Sequence, residues 1–433
     1  MSPGQAHTEA PIWRPLVLLL VVAAALRLLA LVTVGNIDNL HGDEGYYVAK
    51  ARSLVDAGTY PGAFRPPAYS AFIALTFLVW GDSLLAVRVI QIVLALVSLV
   101  LVFDLSRRSF GRRAAVASGL LYACHPTLVH YTHFLWAETL YSTLLLIVVW
   151  CLSRFEGCRA LGWAGAAGIA LGFAALTRET ALYFGAVAAA WLLWLPGGRT
   201  ERSRSALLLC GAAALVILPW TLRNYARFDE LVLVSTNRWR TIALGNVLPK
   251  ERGELRRAIR RGYREAEDPL ASERFARDLA LRWIRAEQPW WIVRKTVRNT
   301  RRLVAPHTQL ERFEKQEWLE RGAGYAVALQ SFAERWFSLV TLAVGLAGLC
   351  VADGGRARVL VVWLLLTHWA IYVVSYAQPR FVVPFLPFFA VYAGPAVTSA
   401  ASWRRASRLR LAGAVVSILA VVTLMKPWRF FAR

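Results

Sequence analysis

The chain has 433 residues, 57% of them hydrophobic, and a mean hydropathy of +0.45. Its apolar residues recur in runs of about 17 to 25, the length that crosses roughly 30 Å of hydrocarbon, which excludes a water-soluble globular domain and indicates a polytopic membrane protein. The net charge of +23 does not point to nucleic acid, because the basic residues divide between one rim of the membrane and one long loop region, where anionic membrane lipids are the nearer partner.

The first apolar run is followed by Gly35-Asn36-Ile37-Asp38 rather than a small-residue cleavage site, so it reads as a retained helix. In chain order the predicted spans are 15–34, 84–105, 113–130, 137–153, 161–177, 180–195, 206–222, 336–352, 358–375, 382–400 and 410–425, about 11 transmembrane helices in an all-α fold. With a cytoplasmic N-terminus, the loops 107–113, 154–159, 197–205, 353–358 and 403–410 are all basic, as short cytoplasmic loops tend to be. That orientation leaves an N-terminal module 1–222 with a first external loop 35–83, an external segment 223–335 and C-terminal helices in 336–433.

The first loop is more than a connector. In EGYYVAKARSLVDAG, Tyr47, Ala51, Leu54 and Val55 fall at spacings of three and four, which predicts an amphipathic surface helix ended by Gly58. After Pro66-Pro67 come about 13 apolar residues, too short a run to span and better suited to a re-entrant or interfacial helix. The second external segment reads as a small helical domain, with a strand conceivable only at 231–236. Five cysteines show no CxxC spacing and predict neither disulfides nor a zinc site.

Ionisable residues near a membrane face are costly and therefore informative. Asp43 and Glu44 start the surface helix, where acids suit the helix dipole, but a carboxylate desolvated at the membrane edge also gains basicity and can act as a general base. Arg65 precedes two prolines that hold the backbone extended; its guanidinium suits a phosphate oxygen, and snorkelling to head groups is the plainer alternative. Glu138, Arg178, Arg223, Asn224 and Arg380 map to the same face, with an Arg178 ion pair to Glu138 or Glu179 as the structural alternative. His125, His130 and His133 could ligate a metal, but no carboxylates stand in register with them.

An Asp-Glu after the first helix, YY..A..L...G.Y, a basic residue before Pro-Pro, LTRET, PW.LRN......V..ST........GN and RF..P..P resemble, in order, the GT-C class of membrane glycosyltransferases. Within it the resemblance is to the branch of the lipid A aminoarabinose transferase, to RgtA/B/C/D-like lipopolysaccharide sugar transferases and, more distantly, to protein O-mannosyltransferases, over residues from about 15 to 390. It implies a polyprenyl-phosphate-linked sugar donor, an inverting transfer to an envelope glycan, lipid or protein acceptor, and a site facing the periplasm from the cytoplasmic membrane. By that resemblance Asp43 is the base with Glu44 beside it, and Arg65, Arg178, Arg223 and Arg380 bind the donor phosphate. Tyr46, Tyr47, Tyr69, Glu138 and Asn224 are the candidate substrate contacts. No cofactor is expected to be required, although a divalent cation could be held by Asp43, Glu44 and Glu138. Two departures stand out: no large soluble domain follows the last helix, which would leave acceptor recognition to 223–335 and the first loop, and Glu179 occupies a position where proline is frequent. The rival expectation is a transporter or flippase of lipid-linked sugars, which would place its charges near the midplane between repeats.

Overall fold

The computed structural model describes residues 13–33, 40–247, 253, 269–305 and 324–426, all helices and connecting turns among the described residues. The helices are α1 Trp13–Thr33, α2 Glu44–Ala57, α3 Ala68–Trp80, α4 Leu84–Phe110, α5 Arg112–Cys124, α6 Pro126–His130, α7 Glu138–Cys158, α8 Leu161–Thr177, α9 Thr180–Trp194 and α10 Arg199–Phe228. Three shorter helices follow, α11 Arg238–Asn246, α12 Pro269–Ala286 and α13 Trp291–Leu303, and then α14 Gly324–Val351 and α15 Gly355–Val374. A 3₁₀ segment Pro379–Phe385 leads into α16 Leu386–Thr398, with α17 Ala400–Arg405 and α18 Arg408–Met425 at the end.

Eight of the described segments are long and apolar enough to cross a membrane, and three further apolar helices, α3, α8 and α9, are shorter. The protein is therefore a multi-pass membrane protein. One of the eleven expected spans, 113–130, is broken: α5 stops at Cys124, and Pro126, which has no N–H to continue the ladder, starts the separate short helix α6.

Small residues let the spans approach closely. A Cβ at Gly168 would lie 2.4 Å from the Leu209 carbonyl and one at Gly172 2.9 Å from that of Ala213, so α8 and α10 touch backbone to backbone. The first loop folds as its pattern predicts. α2 buries Tyr47, Val48 and Ala51 and stops at Gly58 in the left-handed conformation (φ 61°), and α3 returns with 13 residues.

The segment 231–236 is not a strand. Its carbonyls are taken by side chains of α10 instead of a partner strand: Asn224 Nδ2 donates to Val232 (3.0 Å), Thr221 Oγ1 to Leu233 (2.9 Å) and Trp220 Nε1 to Val234 (2.8 Å). The Thr236 N–H donates to Ala63 O at 2.8 Å, tying this segment to the first loop. With its backbone groups satisfied this way, the β-branched run needs no ladder.

α13 buries two polar residues and exposes two valines. Lys295 and Asn299 are fully buried, with Lys295 Nζ donating to Gly245 O (2.5 Å) and Asn299 Nδ2 to the carbonyls of Tyr372 and Val373, while Val293 and Val297 are exposed. These bonds fix α11 against the end of α15, where Gly245 has no room for a Cβ beside the Ser375 carbonyl.

Candidate active site

Asp43 stands at the N-terminus of α2 and Arg65 in the proline-fixed return from it. The Arg65 Nη2 donates to Asp43 Oδ1 at 2.7 Å and its Nη1 to the Tyr47 hydroxyl at 3.2 Å. Arg380, at the start of the 3₁₀ segment, places Nη2 2.8 Å from the other Asp43 oxygen and Nε 4.0 Å from Glu138 Oε1. Arg178, at the end of α8, pairs with that same Glu138 oxygen. Four elements distant in sequence thus meet in one chain of alternating charge, Arg65, Asp43, Arg380, Glu138, Arg178.

Aromatic rings hold these guanidinium groups in place. Arg65 lies 5.3 Å from the ring centroids of both Tyr46 and Tyr47, Arg380 lies 5.3 Å from Trp136, and Arg178 lies 5.3 Å from Phe381. Three arginines against two carboxylates leave a surplus of one positive charge. The Nε atoms of Arg65 and Arg380 are buried and have no hydrogen-bond acceptor among the described residues. Burial alone would raise the Asp43 carboxyl, but the guanidinium groups of Arg380 and Arg65 outweigh it and hold Asp43 well below the usual carboxylate range. The expected gain in basicity by desolvation is therefore reversed at Asp43 in the free protein.

The chain of charges borders a cavity of about 800 Å³ whose lining includes Asp43, Tyr47, Arg65, Arg178 and Arg380. The same lining includes residues that the sequence did not single out as a site: Glu179, Ser235, Asn237, Arg238 and Thr241. Glu179 follows Arg178 in the turn between α8 and α9, and its Oε2 accepts from the Ser235 hydroxyl at 2.7 Å. The sequence offered Glu179 as an alternative partner of Arg178 and as a departure from the usual proline.

Other expected residues lie elsewhere. Both oxygens of Glu44 accept backbone N–H groups, from His41 (2.5 Å) and Leu135 (2.6 Å), so its carboxylate pins the first loop to the segment before α7. Arg223 donates to the carbonyls of Gly62 and Tyr60 and to Asn224 Oδ1, while Asn224 holds Val232; this pair braces the loop and is not part of the cavity lining. Tyr69 is fully buried and donates to Gln91 Oε1 at 2.9 Å. Tyr46 stacks edge-on with Tyr47 and Phe64 behind Arg65. Among the described residues no group of three or more His, Cys, Asp or Glu is arranged to hold a metal. His130 instead pairs with Glu334 at 2.9 Å, and His125 packs edge-on against Phe337.

The chain is similar to proteins of known structure. Across 94% of its length the chain superposes on ArnT from Cupriavidus metallidurans, solved bound to undecaprenyl phosphate, with a TM-score of 0.51 at 16% identity and 63% of that protein covered. It also superposes over 97% of its length on the Archaeoglobus fulgidus oligosaccharyltransferase, with a TM-score of 0.57 at 14% identity and 55% of that protein covered. The fold is that of the GT-C membrane glycosyltransferases. Residues 64–222 match the family model of dolichyl-phosphate-mannose-protein mannosyltransferases. Over 171 residues, 38% of this chain, it is 31% identical to the undecaprenyl phosphate-alpha-4-amino-4-deoxy-L-arabinose arabinosyl transferase of Pseudomonas aeruginosa, and the match spans 31% of that relative's length. The GT-C resemblance thus rests on the fold of nearly the whole chain and on the sequence of its first half, which contains Arg65 and Arg178.

Proposed function

We propose that the protein is an inverting glycosyltransferase that moves a monosaccharide from a polyprenyl-phosphate-linked donor to an envelope acceptor. The observation that carries this reading is the charge chain Arg65–Asp43–Arg380–Glu138–Arg178 at the edge of a cavity large enough for a sugar and a phosphate. The donor phosphate sits against Arg65 and Arg380, whose guanidinium groups line the cavity together with Arg178 and supply charge-assisted donors. Asp43, touching both guanidinium groups, holds them in register for that anion.

As the bond from the anomeric carbon to the phosphate oxygen breaks, negative charge collects on the departing polyprenyl phosphate. The arginines are already oriented to neutralise it, so no general acid is needed. The acceptor oxygen attacks from the opposite face and inverts the anomeric centre. Its proton passes to a carboxylate, as in inverting glycoside hydrolysis, and Asp43 and Glu179 are the two carboxylates of the cavity lining. The site faces the periplasm if the basic loops mark the cytoplasmic side.

Mass spectrometry of envelope lipids, polysaccharides and proteins tests this reading in a strain lacking the protein. Complementation with the wild type restores one sugar modification, and Arg65→Ala does not. A lipid-linked sugar that accumulates on the cytoplasmic side while transfer continues would instead identify a flippase.

A further inference from the structure

The cavity has two carboxylates and they are not equivalent. Asp43 has one oxygen on Arg65 and the other on Arg380. Glu179 has only Oε2 engaged, by the Ser235 hydroxyl, and Oε1 accepts no hydrogen bond among the described residues. Thr180, Ser235, Asn237 and Thr241, side chains able to hydrogen-bond sugar hydroxyls, line the same cavity. Resting on the donor reading above, we infer that Glu179 takes the proton from the acceptor hydroxyl, and that the acceptor is a polyhydroxylated glycan group seated against Glu179, Ser235, Asn237 and Thr241.

The placement of Glu179 is built rather than incidental. Ser235 is delivered by the extended segment whose carbonyls α10 side chains hold, so the hydroxyl that aims Glu179 is fixed from behind. The first turn of α11 is fixed in its turn by Glu273 Oε1, which accepts the Trp239 N–H at 2.8 Å. Burial raises the Glu179 carboxyl above its usual range, with the Ser235 hydrogen bond and the charge of Arg238 opposing, which brings its basicity nearer to that of a working base. The step balances: the acceptor O–H proton moves to the Glu179 carboxylate, the acceptor oxygen bonds the anomeric carbon, and the donor C–O bond gives its electron pair to the phosphate. Glu179 then returns its proton to solvent. Donor and acceptor chemistry are thereby assigned to different residues of one cavity lining.

The test pairs two readouts on the full-length protein: retention of undecaprenyl phosphate by the purified protein in native mass spectrometry, and the sugar transferred in a complemented deletion strain. Glu179→Gln is expected to retain undecaprenyl phosphate like the wild type and to lose transfer by about 100-fold or more, the scale of general-base catalysis. Glu179→Asp, which keeps the carboxylate on a shorter stem, recovers part of it. Transfer by Glu179→Gln within twofold of wild type overturns the assignment, and so does loss of undecaprenyl phosphate by that variant, which would make Glu179 a structural support. A wild-type protein that neither retains undecaprenyl phosphate nor alters the envelope would remove the donor reading itself, and this inference with it.

Discussion

The wall built by the first loop and the wall built by the turn between α8 and α9 each bring one carboxylate to the same cavity, in contrasting surroundings. On the first wall, Asp43 is clamped by two guanidinium groups that are themselves stacked on aromatic rings. On the second, Glu179 meets a hydroxyl and keeps one oxygen open. The same side-chain chemistry is tuned for charge alignment in one place and for proton acceptance in the other, and what differs is the neighbours rather than the depth of burial.

The largest way to break this comparison is to remove a guanidinium from the first wall. Arg65→Ala leaves Asp43 half unpaired and withdraws one donor from the departing phosphate, and transfer should fall by about 100- to 1000-fold, the cost of deleting one preorganised donor to a developing charge; sugar transfer in the complemented strain measures it. Removing the support behind that wall should act on stability. Glu138→Ala leaves the Arg178 guanidinium beside Arg380 without its anion, and breaking a buried pair costs about 3–5 kcal/mol, read as a lowered midpoint of thermal unfolding in detergent.

Glu44→Gln sharpens the contrast between neighbours in sequence. Only one of its two acceptor oxygens survives, so the N–H of Leu135 or of His41 loses its carboxylate acceptor at about 1–3 kcal/mol, and undecaprenyl phosphate retention should be unchanged.

The smallest effect lies behind the second wall. Burial pushes the Glu273 carboxyl from 4.5 up to about 7, with Glu179 among the contributors, so the folded state holds that proton more tightly than the unfolded chain does. Stability is therefore greatest below pH 4.5 for this group, declines as pH rises toward 7 and stays reduced above it. Glu273→Gln, which keeps an oxygen for the Trp239 N–H, should unfold at a temperature a few degrees higher at pH 8, with the gain shrinking toward pH 4.5.

Much of the first wall was legible in the sequence, because the periodicity of 44–57, the short apolar run after Pro66-Pro67 and the arginines at helix ends are local signals. Loop charge alone put Asp43, Arg65, Glu138, Arg178 and Arg380 on one face, and the structure brings those five into contact. Arg223 and Asn224 carried the same local signal and serve as braces, since only the fold reveals that carbonyls of the first loop and of the 231–236 run claim them. The second wall was hidden for a related reason. Glu179 and Ser235 are 56 residues apart, and nothing in either stretch shows that α10 delivers one to the other. Pairing across such a distance is set by packing of the spans, which pattern alone does not fix.

The account stands on the first wall being a phosphate clamp, and retention of undecaprenyl phosphate by purified full-length protein tests that most directly. Wild type and Arg223→Ala should retain the lipid equally in native mass spectrometry, and the double variant Arg65→Ala, Arg380→Ala should lose it. Equal retention by the folded double variant would contradict the account.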